Sequence, residues 1–210
     1  MIAFTSCRPM GRSPEYDRNQ IAAKASWERQ LDSIVYLNDY EPLLASDKTL
    51  FIPHDPFPRI HDIASNCAAQ PDWSCIINAD IVLGDNFRRV ESILKRKGAS
   101  AAMSRRYEFE PGSNLSTARV PDHDFGLDFF AAIPSVWQKV AEICPTELRH
   151  GCQRWDGWLI AFLNAVACNG FYSVTSHRCI FHPRHGDRQY GHEIPSVPLV
   201  GPIYFPPELV

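Results

Sequence analysis

Short apolar runs alternate with longer amphipathic stretches along most of this sequence, and a chain patterned that way folds as an α/β sheet covered by helices. Ile2–Thr5 reads as a first strand, followed by a polar turn over 6–14. A helix over 15–31 then sets Ile21, Ala22, Ala25 and Leu31 near one face. Strands are expected over 33–37 and 49–52, a short helix over 59–69, and a buried strand over 73–80 that ends in a polar turn. Phe87, Val90, Ile93 and Leu94 keep helical spacing, and Gly98 stands where a left-handed cap belongs. After a strand over 100–104 the segment 105–124 reads as a loop, and 126–133 as a strand. Pro134 opens a helix carrying Val136, Trp137, Val140 and Ile143. A second strong helix over 155–169 carries Trp158, Leu159, Phe162, Leu163 and Val166, and strands over 171–174 and 179–181 close the pattern. Residues 1–191 thus read as one domain. Residues 192–210, with Pro195, Pro198, Pro202, Pro206 and Pro207, read as a tail that continues neither a helix nor a sheet interior.

A chain of 210 residues, 45% hydrophobic and 11% aromatic, can bury a sizeable core as a single domain. Its net charge of -3 offers no basic face of the kind nucleic acid requires, and Lys95-Arg96-Lys97 reads as the solvated side of a helix. The seven cysteines are odd in number and include no C-x-x-C pair, which points to a reducing compartment. With no signal-type apolar segment at residues 1–12 and no apolar run of spanning length, a cytoplasmic location without a membrane span is expected.

The most informative stretch is Cys75-Ile76-Ile77-Asn78-Ala79-Asp80, in which an apolar strand delivers two oxygen-bearing side chains to its carboxyl end. Ligands of open α/β sheets sit there. Two positions apart on extended backbone, Asn78 and Asp80 would face the same way and could share Mg²⁺ or Mn²⁺. An Asx turn without a ligand explains the same residues. Asp156, in Arg154-Trp155-Asp156-Gly157-Trp158, stands where a helix N-cap is ordinary, flanked by two tryptophans able to form a flat wall. Asp128 lies between apolar residues of a strand, a costly place for an unpaired carboxylate. A zinc site from Cys179, His182 and His185 would lack a fourth ligand.

The order of these pieces resembles the GT-A glycosyltransferases over roughly 2–191. A βαβ half runs to an N-x-D strand end, an acidic residue opens a later helix, and histidines follow late in the chain. The resemblance implies a Rossmann-like domain with a mixed, mainly parallel sheet and helices on both faces. It further implies a nucleoside-diphosphate sugar donor held with Mn²⁺ or Mg²⁺, and an acceptor hydroxyl on a glycan, small molecule or macromolecule. Asn78 and Asp80 match the metal–diphosphate motif, with asparagine replacing the first aspartate, and His182 or His185 matches the histidine that completes the metal site. The turn beginning Thr5-Ser6-Cys7-Arg8 falls where the nucleoside is received, Asp55 falls at another nucleoside contact, and Arg8, Arg184 and Arg188 could face the diphosphate. Asp156 matches the acidic residue facing the acceptor hydroxyl, and Asp128 is a second candidate for contact with sugar or acceptor. Asn78, Asp80, Asp156 and a late histidine are then expected on one cleft, within about 10 Å of each other. A nucleotidyltransferase is the nearest rival, although Arg8-Pro9-Met10-Gly11-Arg12 is a poor Gly-rich phosphate loop. A non-catalytic domain that binds a glycan or protein is the other.

Overall fold

The computed structural model describes residues 1–38, 41–52, 57–121, 127–151 and 155–185. Asp55, Gly126, Arg188 and the Pro-rich tail lie outside them. In chain order come β1 (Ile2–Thr5), α1 (Pro14–Gln30), β2 (Ser33–Tyr36), β3 (Thr49–Phe51), α2 (Ile60–Ala68), β4 (Ser74–Ile77) and β5 (Val82–Leu83). They are followed by α3 (Val90–Lys97), β6 (Ala101–Arg105), β7 (Tyr107–Phe109), β8 (Leu127–Ala132), α4 (Pro134–Ile143), α5 (Trp155–Ala167), β9 (Phe171–Ser173) and β10 (Ile180–Pro183).

The main sheet has the order β3-β2-β1-β4-β8-β6-β9, and only β8 runs against its neighbours. It is the mixed, mainly parallel sheet that the resemblance implies. Ala3, Cys75 and Ile77 pack beneath Ala23 and Trp27 of α1 and Val90 and Leu94 of α3. Phe4, Ile76 and Phe130 meet α2, α4 and α5 on the opposite face. Burying both faces is why the central strands are apolar along their whole length rather than alternating. Gly98 ends α3 at φ 65°, with its N–H on the Leu94 carbonyl, a conformation glycine adopts without penalty.

Three expectations need correction. Helix α1 buries Asn19, Gln20, Ala23, Ser26 and Trp27 and leaves Ile21 44% exposed. The choice of face follows hydrogen bonding as well as hydropathy: the Trp27 indole donates to the Ile81 carbonyl at 2.6 Å, and Gln20 bonds both the amide and the carbonyl of Arg8. The segment read as a loop over 105–124 contains β7, which joins β5 and β10 in a second sheet of order β5-β10-β7. Three residues are too few for a period to register. Lastly, β4 stops at Ile77, and 78–81 is a turn closed by the Ile81 amide on the Asn78 carbonyl at 3.2 Å.

Candidate functional site

That turn decides the geometry at the carboxyl end of the sheet. Because the backbone leaves the strand after Ile77, the Asn78 and Asp80 side chains part company. Asn78 lies opposite Asp128 of β8: its amide N–H donates to the Asp128 carbonyl at 3.3 Å, and its side-chain Nδ2 donates to Asp128 Oδ1. An aspartate at 78 would set two carboxylates against each other, so the asparagine is explained by its partner. This engages Nδ2 of the Asn78 side chain with β8.

Asp80 turns instead toward β10 and the residues just beyond it. Pairing of β10 with β5 and β7 fixes His182 opposite Glu108. His182 Nε2 and His185 Nε2 then stand 3.4 and 3.5 Å from Asp80 Oδ2. One ligand atom from each of the three lies within 4.8 Å of the others. Burial alone would push the Asp80 carboxyl up, but the two imidazoles outweigh it and hold the group well below the ordinary carboxylate range. Among the described residues both Nδ1 atoms are buried without a hydrogen-bond partner, so ring packing sets the orientation. His182 and His185 lie 5.0 Å apart, and Tyr16 meets the His185 ring at 5.0 Å. Arg8 is exposed and lies over the Tyr16 ring at 4.3 Å, which places its guanidinium at the rim of this cluster. Cys179 is a core residue whose thiol is pushed up to about 12 by burial, so it offers no thiolate beside these histidines.

The neighbouring acids are sorted by their partners. Asp128 gives one oxygen to Asn78 and the other to Arg106 Nη1 at 2.7 Å, while Arg106 also holds Glu108 at 3.0 Å. Arg184 is exposed and pairs with Glu108 at 3.4 Å and Glu110 at 3.0 Å, so its charge is already matched. Asp156 is the second residue of α5, and its Oδ1 accepts the Gly157 amide at 2.9 Å. Burial, and then the charge of Asp128, pushes its carboxyl up to about 6. Asp156, Asp128 and Asn78 thus share one electrostatic neighbourhood at the end of β4 and the start of β8. Thr5 is fully buried, its hydroxyl without a partner among the described residues, and so lies beneath the β1 turn rather than on it. Trp155 is likewise core, packed on Phe130, and Trp158 leans on Phe162, so the pair does not form the expected flat wall.

Two residues here escaped the sequence reading. Arg106 sits in a stretch without periodicity, and its partner is 22 positions away. His150 is buried against Ser6 of the β1 turn, 144 positions away. Arg106→Ala would leave the buried Asp128 charge uncompensated, so a loss of about 3–5 kcal/mol in urea unfolding is expected. Adding Asp128→Asn should restore a good part of it, since a neutral amide needs no cation. Equal instability of the single and double variants would show that Arg106 acts through packing alone.

Comparison with known proteins identifies the fold. No protein-family model and no curated protein matches the sequence. Among solved structures, a candidate glucose-1-phosphate thymidylyltransferase from Bacillus anthracis, in complex with a sucrose, superposes at a TM-score of 0.50 and 12% identity, over 83% of this chain and 85% of that one. The 4-diphosphocytidyl-2C-methyl-D-erythritol synthase of Anaerococcus prevotii gives 0.50 at 10% identity, over 83% and 87%. The 1–349 segment of S. aureus TarS gives 0.51 at 8% identity, over 87% of this chain and 60% of that one. At such identities the likeness establishes a shared fold alone.

Proposed function

We propose that the chain is a metal-assisted glycosyltransferase that moves a sugar from a nucleoside-diphosphate sugar to an acceptor hydroxyl. The observation that carries this reading is the convergence of Asp80, His182 and His185 at the carboxyl end of the sheet. One carboxylate oxygen with two imidazole nitrogens suits Mn²⁺ better than Mg²⁺, which prefers an all-oxygen shell. A cation held there supplies Lewis acidity toward a leaving diphosphate. Arg8, exposed over the Tyr16 ring, would bind the same diphosphate. Asp156 accepts the proton of the acceptor hydroxyl as its oxygen bonds to the anomeric carbon and the bond from that carbon to the diphosphate breaks. A carboxyl near 6 suits this role, ionised at neutral pH yet basic for its type. Among the described residues no helix is long and apolar enough to cross a membrane, and the acceptor class stays open between glycan, small molecule and macromolecule.

Transfer of a nucleotidyl group is the nearest rival, and the turn after β1 weighs against it. A phosphate loop presents free backbone amides to the anion. Here the amides of Cys7, Arg8, Met10 and Gly11 donate to Asn38, Gln20, Glu41 and Asp17, at 3.2, 2.7, 3.4 and 2.9 Å. Two of those acceptors are carboxylates, which repel phosphate.

A thermal-shift panel of UDP-, GDP-, CMP- and dTDP-sugars with and without Mn²⁺ tests the proposal. At one hundred times Kd a ligand stabilises by about 2.7 kcal/mol, or roughly 5–10 °C for a domain of this size. The expected result is one base class stabilising only with Mn²⁺, followed by release of nucleoside diphosphate in the presence of acceptor; release of a monophosphate from a CMP-sugar would overturn the diphosphate leaving group. Pyrophosphate release from a nucleoside triphosphate and a sugar phosphate would move the assignment to nucleotidyl transfer. No response to any member would sink both.

A further inference from the structure

The small sheet β5-β10-β7 has two unlike faces. Register pairs Phe181 with Tyr107 and Pro183 with Phe109, and this face is apolar, with Tyr107 and Phe181 packed on Ala118. Side chains alternate along a strand, so the other face carries His182 opposite Glu108, with Arg184 and Glu110 one step further on. The Arg184 amide donates to the Phe109 carbonyl at 2.8 Å, which carries the pairing past the end of β10. Arg119 bridges to Glu108 from the outer side, their amides and carbonyls exchanged at 2.8 and 3.0 Å, so its side chain joins the polar face. A pocket of about 300 Å³ opens there, its lining including Glu108, Glu110, Arg119 and Arg184 with Ser113 and Thr117. Two contacts fix its place. Arg184 stands two strand positions, about 7 Å, from His182 of the Asp80 group. Glu108 is held by Arg106, whose Nη1 holds Asp128 at 2.7 Å. The pocket thus borders both the three-residue cluster and the Asp128 carboxylate.

The lining states what the pocket can hold. Its two carboxylates and two guanidiniums balance, so it has no net charge to draw an ion. Its hydrogen-bonding capacity is nevertheless only partly used. Glu110 gives one oxygen to Arg184 at 3.0 Å and keeps the other. Arg119 is exposed and makes no ion pair among the described residues. The Thr117 hydroxyl donates to the Asn114 carbonyl at 2.7 Å and can still accept. An apolar ligand would strip water from four charged groups without replacing it. A phosphate would meet Glu108 and Glu110, which carry its own sign. A ring of hydroxyls, each a donor and an acceptor at once, answers the open acceptors and donors together.

We infer that this pocket is the acceptor subsite and takes a neutral saccharide ring, so that the acceptor hydroxyl belongs to a glycan or a free sugar. The inference rests on the glycosyltransferase reading. Glucose, galactose, N-acetylglucosamine, maltose and lactose serve as probes in calorimetric titration, with inorganic phosphate as the anionic control. The protein holds Mn²⁺ and the nucleoside diphosphate of the base selected by thermal shift. At least one saccharide should bind, and the same one should speed release of nucleoside diphosphate from the nucleotide sugar. Glu110→Gln and Arg119→Ala should each weaken its binding about tenfold, the effect of losing a hydrogen bond to a charged group. Both residues are exposed, and an exposed ion pair such as Glu110–Arg184 adds little stability, so both variants should fold. Three results overturn the inference and leave the glycosyltransferase reading standing: phosphate bound in place of saccharide, no saccharide bound by a protein that binds nucleotide sugar, or equal saccharide affinity in wild type and variants. A wild-type protein that binds a saccharide but no nucleotide sugar overturns the glycosyltransferase reading, and the acceptor role with it.

Discussion

Asp80→Ala is expected to abolish Mn²⁺-dependent nucleotide-sugar binding and to lower turnover by about 10³-fold or more, the several kcal/mol that a Lewis-acid metal supplies. Asp80 is the one anionic member of the Asp80–His182–His185 group, so its loss leaves two imidazoles that cannot balance a divalent charge. The side chain is 18% exposed and makes its contacts with the two histidines, so the fold should survive its removal. The pH dependence has a definite sign. A carboxyl held below its ordinary value adds stability above the unfolded-state pKa and loses it as pH falls through the folded one. The variant should therefore lose stability relative to wild type at neutral pH and converge with it in acid. Calorimetric titration with Mn²⁺, beside melting curves, checks both halves. Retained Mn²⁺ binding with a melting temperature many degrees lower would make Asp80 a turn residue and nothing more.

The features legible in the sequence were those carried by runs of similar residues. Ile2–Thr5, Ser33–Tyr36 and Ser74–Ile77 are buried on both faces, so each registers as a continuous apolar stretch. Gly98 marked a helix end because only the backbone conformation at that point demands it. The site was legible by residue type but not by geometry. Asn78 and Asp80 were found because they end an apolar strand, yet their divergence depends on β4 stopping at Ile77 and on a donor being needed opposite Asp128. Neither fact resides in the segment itself. Arg106 and His150 were invisible for the same reason: each is one polar residue whose meaning lies in a distant partner, Asp128 in one case and Ser6 in the other. Local pattern reports which face is buried. It does not report which polar groups the fold sets side by side.

Asp156→Asn should lower turnover by about 10²–10⁴-fold, the usual worth of a general base, with donor affinity nearly unchanged. Wild-type kcat/KM should fall about tenfold per pH unit below roughly 6, as the carboxylate takes up a proton, and the variant should lack that limb. Stability should move the other way. Burial and the nearby Asp128 charge raise the folded-state pKa above the ordinary carboxyl value of 3.8, so the folded protein holds this proton more tightly than the unfolded chain. The resulting destabilisation is absent below the unfolded value, grows as pH rises, and is fully present above about 6. Asparagine escapes it. Partial exposure and the favourable field of the first helical turn reduce the gain to on the order of 1 kcal/mol, or a few degrees in Tm at pH 8. Greater stability together with lost turnover is what a carboxylate kept for chemistry predicts, whereas a structural cap would leave turnover unchanged, since Asn caps about as well as Asp. Near-normal transfer by Asp156→Asn would remove the base assignment. Asp128, with its oxygens already held by Asn78 and Arg106, would not inherit it, and transfer would then need no base from the protein. Turnover intact with little change in Tm at pH 8 would return Asp156 to the role of a helix cap, which asparagine fills about equally well.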